Sequence, residues 1–220
     1  MSKLNQLILS FNFDQNFKNL DFYVSKSNDH IFNLVKNWHH YKQKFLNIIG
    51  DKFSGKSHLM NIFLEQNGGL KINADNLNDD LLKKTKFFED IILEDLSTKI
   101  DEKLFYSLIN IADSENKHLI VTSRIPIVKM NFDLTDLQSR IKNFSLIKIE
   151  NPDDDLMFAL ILKNLSDRQI SIDKKLIDYI IKRIDRSYSK ISDFIYKIDQ
   201  ISLKKKRSID FKIIKEALGD

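Results

Sequence analysis

The chain has no cysteine, two prolines and five glycines among its 220 residues. The lack of cysteine excludes a disulfide scaffold, a thiolate zinc site and cysteine nucleophile chemistry. Because residues that break regular structure are few, we expect long helices and strands. The longest apolar stretches, such as Phe158 to Leu162, are far shorter than the roughly 20 residues of a membrane-spanning helix. The N-terminus also lacks the layout of a signal peptide, so the sequence predicts a cytoplasmic protein without a membrane partner.

The chain also has little excess charge of either sign. It contains 35 Lys and Arg against 31 Asp and Glu, a net charge of +4. This excess is small and spread along the chain, which is not the pattern of a nucleic-acid-binding module. Hydrophobic residues make up 42% and charged residues 30% of the sequence, which is ordinary for a protein that folds around its own core.

Hydrophobic periodicity changes character near residue 150. Upstream of it, short apolar runs alternate with helical patterns, which predicts an α/β fold with a five-stranded parallel sheet flanked by helices. Downstream, apolar residues recur at spacings of three and four, which predicts a small all-helical domain. Asn151 and Pro152 suit the start of its first helix. The predicted strands are Phe45 to Ile49, Leu70 to Ile72, Ile91 to Leu93, Leu119 to Val121 and Phe144 to Ile149.

A segment between residues 50 and 57 fits the pattern G-x-x-x-x-G-K-[ST] at every constrained position. A predicted strand enters it and a predicted helix leaves it, so backbone N–H groups and a helix N-terminus would surround an anion. Lys56 would supply positive charge to phosphate oxygens, and the Ser57 hydroxyl would complete a Mg²⁺ shell. The sequence thus predicts binding of a nucleotide with Mg²⁺, against the alternative of a chance glycine-rich turn, and the family resemblance described below implies ADP or ATP. The predicted contact residues are Gly50, Asp51, Lys52, Phe53, Ser54, Gly55, Lys56, Ser57 and His58.

Two acidic residues end the third predicted strand. An apolar run that closes in two carboxylates is the Walker B pattern, in which the first acid holds Mg²⁺ and the second polarises the attacking water. Those residues are Glu94 and Asp95 here. A strand end capped by solvated acids is the alternative. The histidines are scattered, and the adjacent His39 and His40 lack the spacing of a helical metal pair, so we expect no metal beyond that of the nucleotide.

Four segments together resemble the DnaA/Hda family of AAA+ proteins, and most closely its Hda branch, the regulatory inactivators of DnaA. The segments are the phosphate loop, the strand ending in Glu94 and Asp95, the run from His118 to Pro126, and Asp136 to Arg140. The resemblance covers about residues 10 to 218 and implies an AAA+ core with a helical lid. It divides the chain into an N-terminal peptide at 1–12, a nucleotide-binding core at 13–150 and a lid at 151–220.

The resemblance also implies roles for individual residues. Thr122 and Ser123 fall at the sensor 1 position, although the acidic residue usual after them is missing. Arg140 falls at the arginine finger, which reaches the nucleotide of a neighbouring subunit; a solvated helix-end arginine is the alternative. Ser189 takes the place of the sensor 2 arginine, with Arg186 one turn earlier, which predicts weak intrinsic hydrolysis. The segment around Tyr23 and Val24 resembles the wall of the adenine pocket.

The N-terminal segment resembles the peptide by which replication proteins dock on the β subunit of the DNA polymerase sliding clamp. Gln6 would make directed hydrogen bonds, while Leu7, Leu9 and Phe11 would enter a hydrophobic cleft. An apolar tail that packs on the protein's own core is the alternative.

The resemblance implies a regulator that binds adenine nucleotide, docks on the clamp and promotes hydrolysis of DnaA-bound ATP, which prevents over-initiation of replication. Its partners would be the clamp, DnaA and a second copy in a nucleotide-dependent homodimer. Because little sequence follows the lid, we expect no sequence-specific reading of DNA. Two rivals remain: a self-sufficient AAA+ ATPase that loads or remodels a partner, and a DnaA-like adaptor that does not hydrolyse nucleotide.

Overall fold

A parallel β-sheet of five strands organises the protein, as the sequence predicted. The computed structural model describes residues 22–170 and 172–219. In it the strands lie in the order β2-β3-β4-β1-β5, and each neighbouring pair is parallel. Their bounds are β1 Phe45–Ile49, β2 Leu70–Asn73, β3 Asp90–Leu96, β4 His118–Ser123 and β5 Ser145–Lys148. All five predicted strands are therefore confirmed, with β3 and β4 longer and β5 shorter than the apolar runs that predicted them.

Helices cover both faces of the sheet, as parallel pairing requires. Those that lie before β5 in the chain are α1 Asp29–Lys36, α2 Lys56–Asn67, α3 Asp79–Lys84, α4 Glu102–Ser114 and α5 Thr135–Arg140. On one face, α4 and α5 pack against Leu93, Leu119 and their neighbours. On the other face, α1 and α2 pack against Ile92 and Ile120. Successive buried side chains of the central strands point to opposite faces of the sheet, which divides the core into two apolar layers.

Four helices follow β5, at α6 Asp154–Asp167, α7 Lys174–Ile181, α8 Tyr188–Lys205 and α9 Phe211–Leu218. They enclose an apolar cluster of their own, built from residues such as Met157, Ile180 and Ile195. Aspartate side chains cap three of these helices by accepting backbone N–H bonds: Asp153 for α6, Asp173 for α7 and Asp210 for α9. The all-helical character of this region agrees with its sequence pattern.

The joint between the sheet and these helices is tied to the segment before α1. Asp153 Oδ1 accepts from the Leu156 N–H at 2.8 Å, while its Oδ2 accepts from the Ser27 N–H at 3.1 Å. The Ser27 hydroxyl accepts from the Asp153 N–H at 3.3 Å. Burial raises the pKa of Asp153, but hydrogen bonds from Leu156, Ser25 and Ser27 outweigh it, so the pKa is lowered overall. The division of the chain into core and lid at this joint stays a prediction.

None of the helices within the described residues combines the length and the apolar character needed to cross a bilayer.

Candidate nucleotide-binding site

A cleft of about 1100 Å³ lies at the carboxyl edge of the sheet. Its lining comes from the segment after β1, the ends of β3 and β4, the segment before α1, and helices α6 and α8. The carboxyl edge is where open parallel sheets bind their ligands, because loops diverge there to either side of the sheet. The cleft is therefore the place at which the predicted nucleotide residues have to be tested against geometry.

The phosphate loop enters this cleft with its lysine folded back onto the loop. Lys56 Nζ donates to the carbonyl oxygens of Gly50 at 2.7 Å and Asp51 at 2.9 Å. Gly55 has φ +87, a left-handed conformation that starts α2 and aims its first N–H groups at the loop. A Cβ on Gly50 would lie 2.5 Å from the Ser54 hydroxyl, so the curl of the loop requires a glycine there. The residues predicted to cradle a phosphate thus form one continuous concave turn.

Several polar groups in this turn suit an anionic ligand with a metal. Of the described residues, buried Ser54 Oγ and Glu94 Oε1 are among the few side-chain atoms without a hydrogen-bond partner. Burial lowers the pKa of Lys56; the charge of Asp95 opposes this shift and that of Arg124 adds to it. A phosphate would replace the two carbonyl acceptors of Lys56 with stronger, charged ones. The donor set therefore fits a phosphate group, with the Ser57 hydroxyl and a carboxylate as candidate Mg²⁺ ligands.

The two acids at the end of β3 occupy different environments. Between Leu93 and Leu96 the pairing with β4 shifts register, and Asp95 has φ 57. This bulge turns Asp95 into the cleft, where it is exposed. Glu94 stays buried on the α2 face of the sheet, and its Oε2 lies 3.3 Å from Lys71 Nζ. A metal at Glu94 would have to share this carboxylate with Lys71, whereas Asp95 faces the cleft directly.

Thr122 and Ser123 at the end of β4 are buried and hydrogen-bonded within the protein. Thr122 Oγ1 accepts from the Asp95 N–H at 3.1 Å, which holds the bulge in place. Ser123 Oγ donates to the Ile125 carbonyl at 2.7 Å. Neither residue is among the described residues that line the cleft. Each of the two side chains therefore affects the cleft only by holding the adjoining loop in position.

The segment before α1 forms one wall of the cleft. Tyr23 lines it together with Phe22, and its role at the adenine stays a prediction. The ring of Phe22 meets His58 edge-on at a centroid distance of 5.3 Å. Val24 is exposed and lies outside the lining. Phe22, Tyr23 and His58 therefore give this wall an aromatic surface.

Both arginines singled out from the sequence lie away from the cleft lining. Arg186 Nη2 pairs with Asp154 Oδ1 at 2.9 Å, and this pair is exposed. Arg140, at the end of α5, donates from Nη1 to Asp113 Oδ2 at 2.8 Å. The Arg140 side chain thus lies beside α4 on a partly exposed surface, where it could meet another molecule. The predicted peptide from Gln6 to Phe11 lies outside the described residues.

Many of the described residues that line the cleft were not selected from the sequence, and Arg124, Arg168 and Tyr188 are three of them. Arg124 directly follows β4, at the position where the family's acidic residue is missing, and its charge acts on Lys56. Arg168 at the end of α6 and Tyr188 at the start of α8 close the cleft from the helical side. Burial raises the pKa of Tyr188 to about 12, and its hydroxyl donates to the Glu150 carbonyl. The position of Arg124 at a strand end was the signal that could have identified it.

Comparison with known proteins agrees with this architecture. A chromosomal replication initiator protein DnaA of Lachnoclostridium phytofermentans is 24% identical over 198 residues, which are 79% of this chain and 44% of the relative. An uncharacterized protein of Haemophilus influenzae is 24% identical over 84% of this chain and 86% of its own. No family model matches the sequence. The chain thus has weak sequence similarity to DnaA and spans less than half of that relative's length.

The similarity of fold is stronger. Domain III of the Thermotoga maritima replication initiation protein DnaA superposes with a TM-score of 0.70 at 18% identity, covering 94% of this chain and 97% of that one. AMPPCP-bound DnaA from Aquifex aeolicus gives 0.63 at 21% identity, over 83% of this chain and 65% of that one. The Thermotoga maritima RuvB branch migration motor superposes with a TM-score of 0.62 at 14% identity, covering 89% of this chain and 69% of that one. The protein therefore has the AAA+ fold in the form found in domain III of DnaA.

Proposed function

We propose that this protein is an Hda-like regulator of replication initiation, which binds adenine nucleotide and promotes hydrolysis of ATP bound to DnaA. The observation that carries the proposal is a complete phosphate loop within a fold that matches domain III of DnaA along nearly the whole chain. AMPPCP, an ATP analogue, is bound by the DnaA of Aquifex aeolicus. The same class of ligand suits the cleft described above.

Arg140 is the residue proposed to act on DnaA. Its guanidinium is about a third exposed and pairs with a half-exposed aspartate, Asp113. An exposed ion pair of this kind contributes at most about 1 kcal/mol, so little opposes its exchange for a phosphate. An arginine supplied across a subunit contact stabilises charge on the γ-phosphate and raises the rate by about 10³-fold or more. Asp113 would hold the side chain until a partner's nucleotide replaces it.

The test is ATP turnover by DnaA with clamp-loaded DNA, this protein and ADP. Wild type should stimulate turnover, Arg140→Ala should abolish the stimulation, and Asp113→Ala should keep it. Lys142→Ala removes an exposed cation two positions away and is the matched control. Equal stimulation by wild type and Arg140→Ala would remove the proposed role.

Docking on the sliding clamp is a separate part of the proposal. Gln6, Leu7, Leu9 and Phe11 supply the sequence pattern for it. Immobilised clamp should capture wild type and the Asn5→Ala control at physiological salt. It should not capture Gln6→Ala. Failure to capture wild type would leave the nucleotide site intact but remove the clamp from the mechanism.

A self-sufficient ATPase is the second candidate, favoured by the exposure of Asp95 and Arg124 to the cleft. Steady ATP turnover by the isolated protein, lost in Asp95→Asn, would support it.

An adaptor that does not hydrolyse nucleotide predicts tight ADP binding, no turnover and no effect of Arg140→Ala.

A further inference from the structure

Three potential metal ligands meet at the amino edge of the sheet, opposite the nucleotide cleft. Asp90 begins β3 and His118 begins β4, and the two residues are register partners in the parallel pair. His39 lies in the 3₁₀ turn Trp38–His40 that precedes β1. They are the one group of three or more such side chains, within the described residues, whose ligand atoms come within 4.8 Å of one another. Sequence reasoning missed this cluster because His39 and His118 are far apart in the chain.

Both imidazole rings lie close to the same carboxylate oxygen of Asp90. His39 Nε2 lies 2.8 Å and His118 Nδ1 lies 3.3 Å from Asp90 Oδ1. The two rings are 4.8 Å apart between centroids. In a tetrahedral zinc site with bonds of about 2.0–2.2 Å, neighbouring ligand atoms lie roughly 3.3 Å apart. The two distances to Asp90 Oδ1 are thus within about half an ångström of that value, and all three ligand atoms lie within 4.8 Å of one another.

The surroundings hold the carboxylate in place and leave one side open. Asp90 is buried, with 6% of its side chain exposed, whereas the His39 side chain is 38% exposed. Gly69 makes room for this strand start, since a Cβ there would lie 2.8 Å from the Asp90 carbonyl oxygen. Glu89 and Lys44 are the further charges that act on His118. An ion could enter past His39 and keep solvent as its fourth ligand.

We propose that His39, Asp90 and His118 form a binding site for a zinc-class divalent cation. Two imidazoles and one carboxylate are the ligand set that first-row transition metals such as Zn²⁺ and Ni²⁺ prefer over Mg²⁺. The nucleotide site offers hydroxyl and carboxylate oxygens instead, which suit Mg²⁺. Because their ligand types differ, the two sites should select different metals. Because they lie at opposite ends of the parallel strands, they should fill independently. The ion would tie the turn before β1 to the starts of two central strands.

The test is titration of ZnCl2 into tag-free, nucleotide-free protein after removal of metal by a chelator. Calorimetry should show one equivalent bound, and the melting temperature should rise with zinc. His39→Ala and Asp90→Asn should each weaken zinc binding by more than the roughly tenfold that loss of an outer partner costs. Affinity for ADP should remain unchanged in both variants, which separates this site from the nucleotide cleft.

His40→Ala is the matched control, because His40 is the exposed neighbour of His39 and lies outside the cluster. It should bind zinc like wild type. Circular dichroism of His39→Ala should match wild type, since the removed ring is substantially exposed. Absence of stoichiometric zinc binding by wild type, or wild-type affinity in both His39→Ala and Asp90→Asn, would overturn the proposal.

Discussion

Polar side chains at the two edges of the sheet find different kinds of partner. At the carboxyl edge, Phe53 and Asp95 adopt positive φ, and buried oxygens of Ser54 and Glu94 have no partner among the described residues. At the amino edge, Asp90 and its two histidines contact one another, and buried Lys117 donates to the Phe88 carbonyl at 2.8 Å. Positive φ and unmet hydrogen bonds occur at the amino edge too, where Asn116 has φ 58 and buried Trp38 Nε1 has no partner among the described residues. The unpartnered atoms at the carboxyl edge differ in being oxygens beside the cleft, which an anion with a metal could satisfy.

This difference indicates how the fold separates stability from ligand binding. The central strands β1, β3 and β4 are buried along their apolar stretches and hold both edges rigidly. A group that lacks a partner at the carboxyl edge costs free energy until a ligand satisfies it. Substitutions in the phosphate loop should therefore act mainly on nucleotide binding, whereas substitutions that disturb the backbone at the amino edge should act mainly on folding.

The largest effect is expected for Lys56→Ala at the carboxyl edge. The variant loses the cation that faces the phosphates, so affinity for ADP should fall about a hundredfold or more. Calorimetric titration with ADP measures this, with Lys103→Ala as the control because Lys103 is exposed on α4 and is not among the described residues that line the cleft. Wild-type affinity in Lys56→Ala would mean that the loop does not hold the phosphates.

Gly69→Ala should give the largest effect on folding. Gly69 has φ +126, and an added Cβ would lie 2.8 Å from the Asp90 carbonyl oxygen. Strain of this kind should lower the free energy of unfolding by about 3 kcal/mol, as measured by urea denaturation.

Gly68→Ala is the control for Gly69→Ala, because Gly68 has φ +77 but no atom within 4 Å of an added Cβ. It should cost less than Gly69→Ala, about 1–2 kcal/mol, because its φ of 77 and ψ of -167 strain any residue with a Cβ but bring no close contact. Equal losses in the two variants would show that the close contact with Asp90 is unimportant.

A smaller effect is expected for Asp153→Ala, at the joint beyond the carboxyl edge. The change removes the α6 cap and the bond from Ser27, so the free energy of unfolding should fall by about 1 kcal/mol. Thermal denaturation should place the control Asp155→Ala near wild type, since that residue is exposed and caps nothing. A larger loss in the control would contradict the role given to Asp153.

The contribution of Asp153 should also depend on pH. Its pKa lies below the ordinary value of 3.8 in the folded protein, so its stabilisation is present above that value and is lost as pH falls through the folded pKa. Urea denaturation of wild type and Asp153→Asn from roughly pH 6 to pH 3 measures this. The difference in unfolding free energy should shrink toward the acid end, and a constant difference would contradict the assignment.

Sequence predicted those parts of the molecule that depend on neighbours in the chain. Continuous apolar runs identified the strands, and the spacing from Gly50 to Ser57 identified the phosphate loop. The opposite environments of Glu94 and Asp95 were not predictable, because they follow from a register shift between β3 and β4. The meeting of His39 with Asp90 and His118 depends on strand order in the same way.

Side-chain partners on the surface were also beyond sequence reasoning. Arg186 was expected at the nucleotide, yet it pairs with Asp154 one helix away. Long arginine side chains reach several alternative acids, and which one they meet depends on packing between elements. The exposed pair of Arg140 with Asp113 follows the same rule.

The hydrogen bonds between Ser27 and Asp153 have a mechanical consequence. They join the aromatic wall of the cleft to the start of α6, so these two parts form a single unit rather than independent ones. Any rotation of the last four helices about residues 151–153 must either break these bonds or carry Phe22 and Tyr23 along with it. A rotation of those helices would then move the aromatic wall and change the opening of the cleft at the same time.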